Sequence, residues 1–394
     1  MSLKLLLLIT TLIALLNSSF SHSAPTINNI IVGAEQLEQY RAKLEGKQVG
    51  LVVNQTSRVH NEHLIDVLLK EKLAIKMIFA PEHGFRGNKD AGEKFDSSVD
   101  AKTGIPVISL YGKNRKPAVK TLKKLDVIVF DIQDVGVRFY TYISTMHYMM
   151  EAAAEAGVEF IVLDRPNPNG RFVDGPVLEA EFRSFVGMHP IPLLHGMTVA
   201  ELALMIKGEG WLTTNKELSL SVVKVKNYQR NFSYNLPIKP SPNLPNAQSI
   251  ALYPSLAFFE ATPVSIGRGT KFPFQVIGHD DVNIGKFPFS PISIVGAASN
   301  PKLEGKHLLG EDLRQVNAAG IDLSYVLNWH KAFQTKKLNF FNSPKFMDKL
   351  SGTDKLRKDI LAGKTAEQIR LSWQADLKAF KQKRQPYLLY PDNE

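Results

Sequence analysis

The stretch Asp126-Val127-Ile128-Val129-Phe130-Asp131 is a short apolar run with an acidic residue at each end. Such a run predicts a strand buried on both faces. Four similar runs occur in the first half of the chain, at residues 50–53, 74–80, 105–110 and 159–163. Helical patterns lie between some of them, at residues 62–72 and 140–156. Short apolar strands that alternate with helices indicate an α/β domain whose parallel sheet is covered on both sides.

The first domain extends to a change in composition near Pro237. Residues 198–206 predict one more helix, and residues 217–226 predict an antiparallel or edge strand. Four prolines between Pro237 and Pro245 then exclude both helix and central strand. We place a domain boundary there, although a long surface loop within one domain is the alternative. The predicted domains are residues 25–245, which are α/β, and residues 246–394, which form a smaller α+β domain.

The elements predicted for the second domain are few and short. Strands are predicted at residues 274–277 and 290–295, and helices at residues 323–333 and 356–361. A last helix begins near Thr365, with Gln368 at the capping-box position, and Pro386 ends it.

The composition excludes several classes of protein. At 44% hydrophobic residues over 394 residues, the chain is too apolar for wholesale disorder. Its net charge of +10 is mild for this length, and we expect no nucleic-acid partner. Cysteine is absent, which excludes disulfides, thiolate nucleophiles and cysteine-based metal sites.

The first 24 residues resemble a secretory signal. Lys4 precedes an apolar stretch from Leu5 to Leu16, and small residues suited to cleavage follow up to Ala24. An uncleaved membrane anchor is the alternative, but the stretch is shorter than the roughly 20 residues that span a bilayer. We predict a signal peptide at residues 1–24 and a mature protein that is periplasmic or secreted, without membrane insertion after cleavage.

Polar residues follow every predicted parallel strand. Because ligands bind outside the carboxyl ends of such strands, these residues are candidates for a site. The candidates after the strands are Asn54, Glu82, His83, Arg86, Glu93, Asp131, Asp134, Arg138, Tyr142, Asp164 and Arg165. Two more, Glu260 and Arg268, lie in the second half, and Arg268 stands between two glycines.

These residue types suit the hydrolysis of a sugar. Paired carboxylates can act as acid and base, or as acid and nucleophile, in glycosidic cleavage. Arginines recognise a carboxylate or phosphate, and tyrosine rings offer flat faces to sugars. The chain has neither a phosphate-binding loop nor a dinucleotide fingerprint, and it also lacks a serine nucleophile elbow and a His-Glu-x-x-His zinc motif.

Four segments together carry a family resemblance. They are Pro81-Glu82-His83-Gly84-Phe85-Arg86-Gly87, residues 131–142, Asp164-Arg165-Pro166-Asn167-Pro168 and Gly267-Arg268-Gly269-Thr270. In this order they resemble the exo-β-N-acetylmuramidases, the NamZ-type glycoside hydrolases, from about Gly50 to the C-terminus. The chain departs from the family pattern at His279, Asp280 and Asp281.

The resemblance implies a Rossmann-like N-terminal domain and a smaller C-terminal domain with the active site in the cleft between them. It also implies release of N-acetylmuramic acid from the non-reducing ends of peptidoglycan fragments, without a metal or organic cofactor. The catalytic glutamate of the family maps onto Glu82. The resemblance assigns no second group, and the strand-end acids Asp131 and Glu93 are our candidates for it. The remaining candidates are assigned to substrate binding, and Arg86, Arg138 and Arg268 are the candidate partners for the lactyl carboxylate of the sugar.

Two other functions remain open from the sequence. A non-catalytic envelope protein that binds wall fragments would share the cleft and the arginines but would need no catalytic carboxylate. A metal-dependent amidase or deacetylase would lose its activity in the presence of a chelator.

Overall fold

The computed structural model describes residues 30–86, 93, 97–112 and 114–392. The predicted signal peptide and most of the loop around Glu93 lie outside these residues. In the described part, no helix is long and apolar enough to cross a membrane.

A parallel sheet forms the first half of the described chain. Its strands are β1 (Val49–Val53), β4 (Ile75–Ala80), β5 (Ser98–Val99), β6 (Pro106–Ser109), β7 (Val127–Asp131), β8 (Glu159–Leu163) and β9 (Leu220–Val223). They lie in the order β5-β6-β4-β1-β7-β8-β9, and all neighbours are parallel except β5 and β6. A separate small hairpin pairs β2 (Arg58–Val59) with β3 (Glu62–His63).

Helices cover both faces of this sheet, because successive side chains of a strand point to opposite sides. Ile128 and Phe130 of β7 pack on one side, in the same core as α4 (Tyr142–Ala156) and α5 (Val199–Gly208). Val127 and Val129 of β7 pack on the other side. The helices on that side are α1 (Leu37–Leu44) and α2 (Leu64–Lys70). The short helix α3 (Val119–Leu122) precedes β7, and its Leu122 packs in the core of α4 and α5. The predicted α/β fold is confirmed.

The chain reverses its direction of travel across the sheet beside β1. From β1 it proceeds to β4 and β6 on one side, then returns to β7 on the other side. In open α/β sheets, the crevice at such a switch point is where ligands bind.

The rest of the chain contains a second, smaller sheet. The antiparallel strands β10 (Val276–His279), β12 (Leu308–Asp312) and β11 (Phe287–Phe289) form it, in that order. Its helices are α6 (Ala247–Leu256), α7 (Ser324–Thr335), α8 (Pro344–Ser351), α9 (Lys355–Leu361), α10 (Ala366–Leu371) and α11 (Gln374–Arg384). The smaller C-terminal α+β domain is thereby confirmed, whereas its boundary after Pro245 stays a prediction.

Two predicted elements differ from the structure. The strand predicted at residues 290–295 is absent, because the chain turns back at Gly296, whose φ is 80°, and leaves only a bridge between Ile294 and Ala298. The last helix begins after Thr365 with the expected capping box, but it is interrupted at Trp373. The Trp373 indole is buried and donates a hydrogen bond to Asp174 at 3.1 Å, so packing interrupts the helix.

Candidate active site

A cavity of about 750 Å³ lies at the carboxyl edge of the parallel sheet. The loops that follow β4, β6 and β7 form one side of it, together with the short turn at residues 184–186. Residues between 241 and 302 and the helix α8 form the other side. Both halves of the sequence therefore contribute to this cavity.

Glu82 lies at the tip of β4, in a tight turn that is closed by a hydrogen bond from the Gly84 amide to the Pro81 carbonyl at 3.0 Å. His83 has a φ of 68° and Gly84 a φ of 74°. Left-handed backbone is unfavourable for a residue with a Cβ, and such strain is found preferentially at functional sites. This turn presents the half-buried Glu82 side chain to the cavity.

Two hydroxyl groups hold the Glu82 carboxylate. Thr141 Oγ1 donates a hydrogen bond to Glu82 Oε2 at 2.7 Å. Tyr111 also hydrogen-bonds Glu82, and its pKa is raised by its own burial and then by the negative charge of Glu82. The orientation of this carboxylate is thus set by residues from the loops after β6 and β7.

Aromatic rings form a wall of the cavity next to Glu82. Tyr140 and Tyr142 pack edge to face with their ring centres 4.8 Å apart. Their hydroxyls donate to the same acceptor, the Pro240 carbonyl, at 2.8 and 3.3 Å. The proline-rich segment therefore fixes two rings whose faces and edges suit a sugar.

A charged cluster lies in the same cavity. Arg268 Nε donates to Glu260 Oε1 at 2.7 Å, and the Arg268 guanidinium lies 5.0 Å from the centre of the Phe274 ring. Lys302 Nζ lies 3.9 Å from Glu260 Oε2. Burial alone would raise the pKa of Glu260, but Arg268 and Lys302 outweigh burial, and the pKa of Glu260 is lowered. Glu260 is therefore held as an anion between two cations.

The structure brings only some of the predicted site residues together. Those that line the cavity are Glu82, His83, Tyr142, Glu260 and Arg268. Those that do not line it are Asn54, Arg86, Glu93, Asp131, Asp134, Arg138, Asp164 and Arg165. The predicted convergence of Glu82, Asp131 and Asp164 on one cavity is not observed, and the functional roles predicted for these residues stay predictions.

Asp131 is outside the cavity because of the alternation within β7. It shares a face with Val127 and Val129, which points toward α1 and α2. There its fully buried carboxylate accepts two hydrogen bonds from Arg165, at 2.5 and 2.8 Å. Burial opposes charge on Arg165, but Asp131 keeps the pKa of that guanidinium above its ordinary value.

Asp164 is engaged at the start of α5. Its carboxylate accepts hydrogen bonds from the Thr198 hydroxyl at 2.8 Å, the Ala200 amide at 3.0 Å and the Tyr390 hydroxyl at 2.5 Å. Burial raises its pKa to about 7. These contacts stabilise the helix N-terminus and the C-terminal tail of the described chain.

Arg138 and Arg86 have partners elsewhere. The buried Arg138 guanidinium donates to four carbonyls, those of residues 176, 191, 350 and 351, at 2.7 to 3.2 Å. Burial lowers the pKa of Arg138 to about 9. Arg86 forms an ion pair with Asp100 at 2.7 Å. Of the three arginines predicted to bind the lactyl group, Arg268 is the one that lines the cavity.

The other candidates serve local turns. Asn54 Oδ1 accepts from the Thr56 amide at 2.9 Å, directly after β1. Asp134 Oδ2 accepts from the Gly136 amide at 2.7 Å, and burial raises the pKa of Asp134 to about 7. Glu93 is half-buried, and the residues on either side of it lie outside the described chain.

Several cavity residues were not among the predicted site residues. Arg115 stacks over the Phe185 ring at 4.1 Å, and its Nε is buried without a hydrogen-bond partner. Thr141, Tyr253 and Lys302 also line the cavity. Thr141 could have been found, because it lies between two tyrosines in a segment already singled out. Lys302 gave no sequence signal.

The departure from the family pattern lies on β10 and the residues after it. His279, Asp280 and Asp281 have side-chain ligand atoms within 4.8 Å of one another. The Asp281 amide donates to His279 Nδ1 at 3.1 Å, so this nitrogen already has a partner. None of the three lines the cavity.

Comparison with known proteins gives consistent matches. Residues 49–248 match the N-terminal domain of the family described as exo-beta-N-acetylmuramidase NamZ, and residues 251–390 match its C-terminal domain. The peptidoglycan beta-N-acetylmuramidase NamZ of Bacillus subtilis is 38% identical over 380 residues, which cover 90% of this chain and 89% of that protein.

Crystal structures of two DUF1343 family proteins from Bacteroides fragilis are also similar. One has a TM-score of 0.85 at 44% identity, and the other has a TM-score of 0.78 at 35% identity. Each match covers 93% of this chain and all of the other chain. The matches extend over both domains, and the chain therefore belongs to the exo-beta-N-acetylmuramidase NamZ family.

Proposed function

We propose that this protein is an exported glycosidase that releases N-acetylmuramic acid from the non-reducing ends of peptidoglycan fragments, with Glu82 as its key catalytic carboxylate. Its family membership supports muramidase activity on peptidoglycan. The apolar segment near the N-terminus, with its basic start and small residues at the end, supports export to the periplasm or the medium.

The observation that carries the assignment of Glu82 is its setting in the cavity. Among the residues that the structure describes, Glu82 and Glu260 are the two carboxylates that line the cavity. Glu260 is engaged by Arg268 and Lys302, and Glu82 is oriented by the hydroxyls of Thr141 and Tyr111 beside the aromatic wall. A carboxyl oriented beside a bound sugar can exchange a proton at the glycosidic oxygen or stabilise the positive charge that develops on the sugar.

The substrate assignment uses Arg268, which also lines the cavity. N-acetylmuramic acid differs from N-acetylglucosamine by a lactyl ether that carries a carboxylate. Arg268 Nε is used by Glu260, so its terminal nitrogens are the groups available to a substrate carboxylate. A hydrogen bond to a charged group contributes about 1.5–3 kcal/mol, which corresponds to at least tenfold in affinity.

The substitution Glu82→Gln tests the catalytic role of Glu82. The variant removes the ionisable group but keeps the side-chain shape and an acceptor for the Thr141 hydroxyl. We expect release of N-acetylmuramic acid from the natural disaccharide with N-acetylglucosamine to fall by a factor of about 10² to 10⁴, with an unchanged melting temperature. Glu45→Gln, which changes an exposed glutamate at the C-cap of α1 and outside the cavity lining, is the matched control.

A second substrate separates two roles of the same residue. A nitrophenyl β-N-acetylmuramide has a leaving group that needs little protonation. Loss of activity on the disaccharide alone identifies Glu82 as the general acid, and loss on both substrates identifies it as nucleophile or base. Near-normal turnover of both substrates by a folded variant would remove Glu82 from the mechanism.

A further inference from the structure

Lys302 is a cavity residue whose hydrogen-bonding capacity is already used. Its Nζ donates to the carbonyls of Phe259 at 2.8 Å, Glu260 at 3.0 Å and Thr262 at 2.7 Å. Three acceptors require the three protons of an ammonium group, so Lys302 is charged in this geometry. It therefore has no proton left to donate to a ligand and can act on a ligand through its charge.

The charge of Lys302 decides the net charge of the cluster. Arg268 and Glu260 alone form an ion pair whose charges cancel. Lys302 adds a second positive charge 3.9 Å from the other oxygen of Glu260. The three side chains together carry one net positive charge, and all three are at least two-thirds buried.

We propose that Lys302 is a specificity-determining residue of this enzyme: by neutralising Glu260, it leaves the positive charge of Arg268 uncompensated for the carboxylate of a bound N-acetylmuramic acid. This inference rests on the proposed function, because it concerns the preference for that sugar over N-acetylglucosamine. Lys302 is a positioning residue rather than a catalytic one, since it acts through Glu260 and Arg268.

The partial burial of the cluster makes this effect large enough to measure. Charges a few ångströms apart at the edge of a protein interact several times more strongly than they do in bulk water. They are also less screened by salt than exposed charges are. A neutral sugar has no group that senses the net charge, so the effect is selective for the anionic sugar.

Four proteins test the proposal by calorimetric titration with N-acetylmuramic acid and, separately, with N-acetylglucosamine. The wild-type cluster carries a charge of +1, Lys302→Met carries 0, Glu260→Gln carries +2, and the double variant returns to +1. We expect Lys302→Met to weaken binding of N-acetylmuramic acid about tenfold, and Glu260→Gln to strengthen it severalfold. The double variant should bind it within about threefold of the wild type, and all four should bind N-acetylglucosamine within about twofold of one another.

A purely structural role of Lys302 gives a different result. Loss of its three carbonyl contacts would weaken both sugars together, and Glu260→Gln would then bring no rescue. If Lys302→Met fails to fold, the Glu260→Gln single variant decides, because unchanged or weaker binding of N-acetylmuramic acid there overturns the proposal. If all four proteins prefer N-acetylmuramic acid over N-acetylglucosamine to the same degree, this inference alone is overturned. If the wild-type protein shows no preference between the two sugars, the proposed substrate is overturned as well.

Discussion

Asp131 forms a buried ion pair with Arg165, and substitution of Asp131 distinguishes a structural role of this residue from a catalytic one. The sequence suggests Asp131 as a candidate second acid. In the structure its carboxylate lies outside the cavity, on the face of the sheet that packs against α1 and α2. We consider Asp131→Asn, which keeps the size of the side chain and removes its charge. We expect this variant to lose stability but to keep its turnover per folded molecule.

The magnitude follows from the burial of the pair. Asp131 is 0% exposed and Arg165 is 5% exposed, so the substitution leaves a guanidinium that is buried and no longer neutralised. Arg165 keeps one hydrogen bond, to the Arg58 carbonyl at 3.0 Å, and an asparagine oxygen can replace only one of the two lost acceptors. Breaking a buried pair in this way costs about 3–5 kcal/mol. For the roughly 360 residues that follow the N-terminal segment, this corresponds to a fall in melting temperature of about 4–7 °C.

Two measurements on the same sample test this expectation. Calorimetry gives the melting temperature, and hydrolysis of a muramide at 20 °C, where the variant remains folded, gives kcat and KM. Asp126→Asn is a control, because that carboxylate binds the Gln48 amide at the exposed start of the same strand. A variant that melts normally, or one that is folded and has lost turnover a hundredfold or more, would refute the reasoning and support a catalytic role for Asp131.

Two further predictions concern stability. Arg138→Met should lower the free energy of unfolding by about 3–5 kcal/mol, since it removes the donor for four carbonyls from three segments, and an unchanged denaturant midpoint would contradict this. The melting temperature should fall as the pH drops from 6.5 to 4.5. Burial lowers the pKa of His63 to about 4 and that of His195 to about 3, so the unfolded chain binds protons that the folded chain excludes. Three buried carboxyls whose pKa is raised by burial oppose this trend, namely Asp134 and Asp164, with pKa values of about 7, and Asp131. They are outnumbered by the buried histidines with lowered pKa, which are His63, His147, His189 and His195. A net excess of about one proton corresponds to a slope on the order of 1 kcal/mol per pH unit, and a melting temperature that is flat or rises toward pH 4.5 would contradict it.

The sheet was predictable because its strands are buried on both faces. Five apolar runs required five parallel strands, and β1, β4, β6, β7 and β8 occur within one or two residues of the predicted positions. The antiparallel edge strand β5 was not predicted, since Ser98–Val99 is too short and too exposed to leave a pattern. The location of the cavity at the carboxyl edge of the sheet could also be predicted, because parallel strands all end at the same edge.

The face to which each strand-end residue points was harder to predict. The last residue of a strand keeps the alternation of side chains, so Asp131 points to the same side as Val129, whereas Glu82 follows β4 in a left-handed turn that redirects it into the cavity. The sequence contains the clue in the pair His83-Gly84, but a positive φ at a histidine is not predictable from its identity alone. A list of strand-end residues therefore locates the edge of the sheet at which the cavity lies, but it includes residues that do not line the cavity.

The second half of the cavity depends on long-range packing, and the anion selectivity that we infer depends on it as well. Arg268 was identifiable because both flanking glycines have positive φ, and a Cβ at either would lie within 2.6 Å of a backbone carbonyl oxygen. Lys302 could not be identified from the sequence, because the chain contains many lysines and no motif surrounds this one. The net charge of +10 is spread over the whole chain and would attract any anion weakly. The selectivity that we infer depends on two cations around one acid, and the packing of the loop at residues 297–302 against the segment at residues 257–262 brings Lys302 to Glu260, which Arg268 also engages.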